Sequence, residues 1–218
     1  MTYELIRQDT AVRTYIARAD MTLEALGFSE HSFAHVTQVA ERSAGILQAL
    51  GYPERTVELA RIAGFLHDIG NVINRVDHSQ SGAVMAFRIL DRMDFPPEEI
   101  AIIISAIGNH DEGTGIPVNE VAAALIIADK SDVRRSRVRN PEDVRADIHD
   151  RVNYSVTDSD VAVDSEGKTL TLGLTVDTEI SSPMEYLEIF MKRMLLCRSA
   201  AEKLNLRFSL RINGQTLI

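Results

Sequence analysis

His67 and Asp68 stand side by side where an apolar stretch, Gly64-Phe65-Leu66-His67-Asp68-Ile69-Gly70-Asn71, breaks at glycine. A histidine nitrogen and an aspartate oxygen are natural ligands for one hard or borderline cation. Adjacent residues on a helix do not face each other, but at a helix end they can converge on an ion held against a second helix. A satisfied core histidine beside a capping aspartate explains the doublet equally well by itself. Other positions change the balance. His35 lies one turn before Val39 on an apolar face, and the stripe Ile100, Ile103, Ile104, Ile107 leads to His110. Asp129 follows Leu125 by four and Ile126 by three, and His78 stands at a helix start ten residues beyond Asp68. Burying one ionised carboxylate unpaired is expensive. Burying two among imidazoles is explained if a metal neutralises them. His35, His67, Asp68, His78, His110 and Asp129 are therefore expected to be metal ligands. The alternative is an interior His–Asp hydrogen-bond network.

The elements that must position these side chains read mainly as helices. Apolar spacing predicts helices over 3–26, from Ser29 or Ser32 to Leu50, from Pro53 to the doublet, and from His78 to Met93 with Ala83, Ala86, Phe87 and Leu90 inward. Pro96-Pro97 and Glu98-Glu99 open the helix that leads to His110, and Gly113 to Pro117 is a loop. A further helix carries Val121 to Asp129, and a short one runs from Pro141 to about Arg151. The period then changes. Val152, Tyr154, Val156, Val161 and Val163 alternate with polar residues, as do Leu170 to Val176, which predicts a β-hairpin. Ser182 and Glu185 form a capping box with Pro183 at the first helical position. That helix, with Leu187, Phe190, Met191, Met194, Cys197 and Ala201 inward, precedes a short strand over Arg207–Ile212. The expected fold is a helical bundle over 1–151 that holds the metal, followed by a small α+β appendage over 152–218.

Composition narrows the function. Lys and Arg number 23 against 32 Asp and Glu, a net charge of −9 over 218 residues. That disfavours nucleic acid and anionic membranes as partners, which need a positive field. It leaves room for a local basic pocket around one phosphorylated small molecule. A single cysteine, Cys197, forms no intrachain disulfide, and the N-terminal residues lack a basic region followed by an apolar run. A cytoplasmic setting is expected.

The ordered set His35, His67-Asp68, Asp129 resembles the H…HD…D pattern of the HD-domain metal-dependent phosphohydrolases over about residues 30–140. The resemblance implies that these four positions bind one metal. His78 in His-Ser-Gln-Ser-Gly-Ala and His110 in Asn-His-Asp-Glu are similar to the two extra histidines of the dinuclear branches. Those branches include the bacterial HD-type diadenosine tetraphosphate hydrolases and the HD-GYP cyclic-dinucleotide phosphodiesterases. Ala128-Asp129-Lys130 followed by arginine is similar to the former. HD-GYP proteins carry lysine where this chain has Asn71, and their Gly-Tyr-Pro loop is only echoed by Gly115-Ile116-Pro117.

The resemblance implies two divalent ions, iron or manganese ahead of magnesium, cobalt, nickel or zinc, with Asp68 bridging them. The expected activity is hydrolysis of a phosphoester or phosphoanhydride of a nucleotide or dinucleotide. A di-iron oxygenase and a non-catalytic nucleotide-binding module are the alternatives, and a homodimer is compatible with either. Arg134, Arg135, Arg137 and Arg139 crowd together past Asp129. They form either a solvated basic face or a phosphate grip, in which Arg134 and Arg137, three apart, share a helical face and Lys130 assists. Asp111 and Glu112 are loop acids or orient water. His31 and His149 fit no pattern and are expected at the surface.

Overall fold

The computed structural model describes residues 2–140 and 147–217. Helices dominate, and a four-stranded sheet lies at the C-terminal end. The first expected helix is two: α1 (Tyr3–Gln8) and α2 (Thr10–Ala25). Asp9 separates them because its backbone is extended and its carboxylate accepts from Val12 N at 2.9 Å, starting a new helix.

Helix α3 (Phe33–Ala49) is capped by Ser32, and α4 (Glu54–Leu66) starts after Pro53. The two pack closely. A Cβ at Gly64 of α4 would lie 2.7 Å from Ala40 Cα of α3, so only glycine allows the approach that brings His67 beside His35. A single 3₁₀ turn, Ile69–Val72, and a short crossing lead to α5 (His78–Arg92), then α6 (Pro97–Gly108) and α7 (Glu120–Lys130). Every residue from Val121 to Ala128 is buried. A helix apolar all round belongs at the centre, and α7 packs against α3, α4 and α6.

The chain after α7 departs from its expected course. The helix from Pro141 to Arg151 lies partly outside the described residues. Its described part is α8 (Ile148–Ser155), capped by Asp147, whose carboxylate accepts from His149 N and Asp150 N. Val152 and Tyr154 are therefore helical and not strand residues, because that cap carries helical spacing through Val152 and Ser155, both buried. The division drawn at 151/152 falls inside α8. Strands β1 (Val156–Asp164) and β2 (Thr169–Val176) form the antiparallel hairpin, with a bulge near Val156. Helix α9 (Pro183–Lys203), which carries the expected capping box, crosses over to β3 (Arg207–Ile212), parallel to β2. A two-residue β4 (Gln215–Thr216), not expected, turns back along β3 after Asn213-Gly214. Leu170, Leu172, Leu174, Phe208 and Leu210 join one core that is continuous with the helices, and α9 lies between α7 and β3. Phe87 and Met191, expected inside, are 46% and 42% exposed, because Ala86, Ile89 and Leu90 on α5 and Phe190 and Met194 on α9 set the inward faces.

Candidate metal centre

The six expected ligands converge from five places. His35 lies in the first turn of α3, His67 and Asp68 at the end of α4, and His78 at the start of α5. His110 follows α6, and Asp129 lies in the last turn of α7. The four histidines are buried, as is Asp68. His35 Nε2 lies 3.3 Å from His67 Nε2 and 3.5 Å from Asp129 Oδ1. His78 Nε2 lies 3.2 Å from His110 Nε2. Asp68 stands between the two groups. Its Oδ2 is 3.6 Å from His35 Nε2 and 3.2 Å from His67 Nε2, while its Oδ1 is 3.4 Å from His78 Nε2 and 3.9 Å from His110 Nε2.

Each imidazole has its other nitrogen engaged. Nδ1 of His67 donates to Gly64 O at 2.7 Å, that of His78 to Arg75 O at 3.0 Å and that of His110 to Ile107 O at 2.6 Å. Carbonyls only accept, so these rings keep the proton on Nδ1 and present a bare Nε2 when neutral. His35 Nδ1 meets Asp132 Oδ2 at 2.6 Å instead. Unshared pairs aimed at one another at such distances require a cation between them. Two atoms each about 2.1 Å from an ion lie about 3.0–3.4 Å apart, close to the spacings found. The ligand atoms of His35, His67 and Asp129, and those of His67, Asp68 and His110, each lie within 4.8 Å of one another. The donor set thus fits divalent metal, and the Nδ1 contacts supply the outer hydrogen bonds that orient metal-binding histidines.

Without metal, a proton takes the cation's place. Burial opposes charge on His67, but Asp68 and Asp129 lift its pKa to about 10. Burial, with His67 and Lys130, pushes His110 down to about 3. Asp68 and Asp129 stay ionised despite burial: His67 and His35 act on Asp68, and Lys130 with the same histidines acts on Asp129. In the unfolded chain His67 returns to 6.5. Its contribution to the metal-free fold is therefore complete below about pH 6.5 and lost as pH rises through about 10. Metal binding must expel this proton. Despite burial, His35 is also raised by Asp129, Asp132 and Asp68, so titration with manganese near pH 7.5 should release protons, read from the dependence of the calorimetric heat on buffer ionisation enthalpy, and affinity should rise with pH. A heat that is the same in every buffer would contradict the assignment.

A cleft of about 410 Å³ opens onto the centre and is lined by His31, Asp68, Arg75, Lys130, Arg137 and Arg193 among others, with Asp147, His149 and Asp150 also on its wall. The residues expected to grip phosphate are placed differently from one another. Lys130 is buried, with Nζ 2.7 Å from Asp129 Oδ2 and 2.5 Å from Glu112 Oε2. Arg137 reaches the wall, but donates to Asp132 O and Glu30 O. Arg134 does not line the cleft; its Nε donates to Asp132 Oδ1 at 2.7 Å. The two arginines share no helical face, because α7 ends at Lys130 and Arg135–Arg137 is a separate 3₁₀ turn. The run ties loops together: Arg135 donates to Tyr154 O, and Arg139 to Phe28 O and Asp20.

Several residues escaped the sequence reading. His31 is no surface residue: its Nδ1 donates to Ser29 O and its Nε2 points at Asp68 Oδ2, 4.0 Å away. Its place four residues before His35 was the available signal. His149 is exposed, as expected, and also lines the cleft. Asp132, three residues after Asp129, is buried against His35. Asn71 donates to Asp68 Oδ1 at 2.8 Å.

The family model for the HD domain matches residues 32–154, more than half of the chain. The chain belongs to the HD domain family. Its HD segment begins at Ser32, the cap of α3, and ends within α8, so it takes in all six convergent residues. The chain is also 26% identical over 164 residues to an uncharacterized protein of Methanocaldococcus jannaschii, covering 65% of this chain and 62% of that protein. The chain thus spans about three-fifths of that relative's length. It is also similar to the crystal structure of a predicted HD superfamily hydrolase from an uncultured Thermotogales bacterium. There the TM-score is 0.44 at 23% identity, covering 60% of this chain and 73% of the other. Among the described residues, no helix is long and apolar enough to cross a membrane.

Proposed function

We propose that this HD domain protein is a metal-dependent phosphohydrolase with a two-ion centre. Its substrate is a phosphoester or phosphoanhydride of a nucleotide or dinucleotide, as in the HD-type diadenosine tetraphosphate hydrolases. The observation that carries the reading is the carboxylate of Asp68, whose two oxygens face different pairs of imidazoles. His35, His67, Asp129 and Asp68 would hold one ion, and His78, His110 and Asp68 the other. Such a nitrogen–oxygen set suits iron or manganese. When bound, the ions supply an acidified water and Lewis acidity toward a phosphoryl oxygen. The protein's own groups do the rest. Lys130 fixes Asp129 by its 2.7 Å contact. Asn71 holds one oxygen of Asp68. Arg75, with Nη1 3.3 Å from His78 Nε2, brings positive charge to the cleft, where an incoming phosphate would meet it. Asp111, with Oδ1 4.0 Å from His78 Nε2, is placed to accept a proton from water on that side. The partner is accordingly a phosphorylated small molecule, in keeping with the acidic chain.

The test is a screen of manganese- and iron-reconstituted protein against dinucleoside polyphosphates, nucleoside mono-, di- and triphosphates and cyclic dinucleotides, with phosphate release and oxygen uptake followed together. Release of phosphate or a nucleotide product with about two metals per chain is the expected result. Oxygen uptake with no cleavage, or one metal equivalent at saturation, would overturn it.

A further inference from the structure

The other basic groups in the cleft have prior engagements. Lys130 is shared between Asp129 and Glu112, Arg137 donates to two carbonyls, and Arg75 leans on Asn71 Oδ1 at 3.5 Å and on His78. Arg193 differs. It comes from α9, beyond the HD segment, and lines the same cleft as Asp68 and Asp129. Its Nε donates to Glu112 Oε1 at 3.0 Å, and its guanidinium lies 4.3 Å over the ring of Phe190, which also lines the cleft. Its hydrogen bond among the described residues is made through Nε, and its two terminal nitrogens donate to none of them. A guanidinium anchored through Nε and backed by an aromatic face keeps its Nη pair oriented, and that planar fork matches two oxygens of a phosphate.

We propose that Arg193 is an anion-binding residue of the active site, gripping the substrate's phosphate through its two terminal nitrogens, so that the C-terminal unit completes the HD centre. The proposal rests on the phosphohydrolase reading for the identity of the anion. The site's own geometry favours a direct role over one confined to holding Glu112. Glu112 is already fixed by Lys130 at 2.5 Å, and one nitrogen of Arg193 suffices for the remaining contact.

The test uses the full-length, metal-loaded chain with inorganic orthophosphate as the probe, titrated by calorimetry, and metal content measured on the same samples. Arg193→Ala should weaken phosphate binding about ten- to a hundredfold while both metals stay. Arg193→Lys, which keeps the charge but not the fork, should recover part of the loss, and it also serves if the alanine variant folds poorly. Unchanged phosphate affinity in both variants would overturn the proposal, and turnover persisting in them would leave the hydrolase reading standing. Loss of metal together with phosphate in Arg193→Ala would also overturn it, since the arginine would then act through Glu112. Arg193-dependent phosphate binding by a wild-type chain that hydrolyses none of the substrates would support the proposal and remove the hydrolase reading.

Discussion

Asp68→Ala should reduce turnover roughly a thousandfold or more, a larger loss than removal of one electrostatic stabiliser at a reacting centre. The side chain lies at the end of α4 and faces the cleft, so its removal leaves the helix packing in place. What disappears is the only carboxylate among the described residues that meets both pairs of imidazoles, at 3.2 Å to His67 and 3.4 Å to His78. Asp129 still serves His35 and His67, but the anionic ligand shared with His78 and His110 is gone, and metal content should fall from about two equivalents to one or fewer. Asp68→Asn keeps the shape and one acceptor, and should retain more metal than the alanine variant while still losing most turnover. Steady-state kinetics and elemental analysis on the same preparations decide the matter. Full activity with two metals in Asp68→Ala would refute the bridging role.

Gly70→Ala is expected to be the most damaging single methyl group in the chain. A Cβ at Gly70 would lie 2.0 Å from the carbonyl oxygen of His78 and 2.5 Å from the backbone nitrogen of Gly82. Both obstacles are backbone atoms of α5, so no rotamer change relieves them. The helix must move as a body, which costs about 3 kcal/mol or more in a packed core. His78 begins that helix, so the second half of the metal centre moves with it. Urea denaturation should show a lowered midpoint with an unchanged slope, and metal content should drop in the fraction that folds. A variant as stable and as fully metallated as the parent would show that α5 does not pack on the turn as described.

The helices around the centre were legible because each carries a strong apolar stripe, and the ligands sit where the stripes end. Asp129 and His110 could be placed from Leu125, Ile126 and Ile107 alone. The break at Asp9 was not legible, since Leu5, Val12 and Ile16 keep helical spacing across it while the cap acts through one side-chain contact; in the structure Ile6, not Leu5, is buried. Val152 and Tyr154 misled because they alternate in step with Val156, the true start of the strand, whereas the buried face of their helix is Val152 and Ser155, and the latter is polar. The arginine run could be read as a basic face or a phosphate grip, but its actual partners are carbonyls and carboxylates distant in sequence, such as Glu30 and Asp20. Arg193 and His31 were missed for a related reason. Each makes its contact with a neighbour far along the chain, Glu112 for the one and Asp68 for the other, and only His31 had a local signal, its place four residues before His35.

The Nδ1 contacts divide the imidazoles into two kinds. Those of His67, His78 and His110 end on carbonyls three residues earlier, which exist whatever side chain the residue carries. Their orientation and basicity are set by helix geometry and lie beyond the reach of point substitution. His35 alone among the four leans on a carboxylate, and Asp132 is encoded by one codon. A full negative charge behind a ring makes it a stronger electron donor than a carbonyl does. Among the four imidazoles, His35 is therefore the one whose donor strength a single outer substitution can change. Drift at position 132 would retune this ring while leaving every proposed ligand in place.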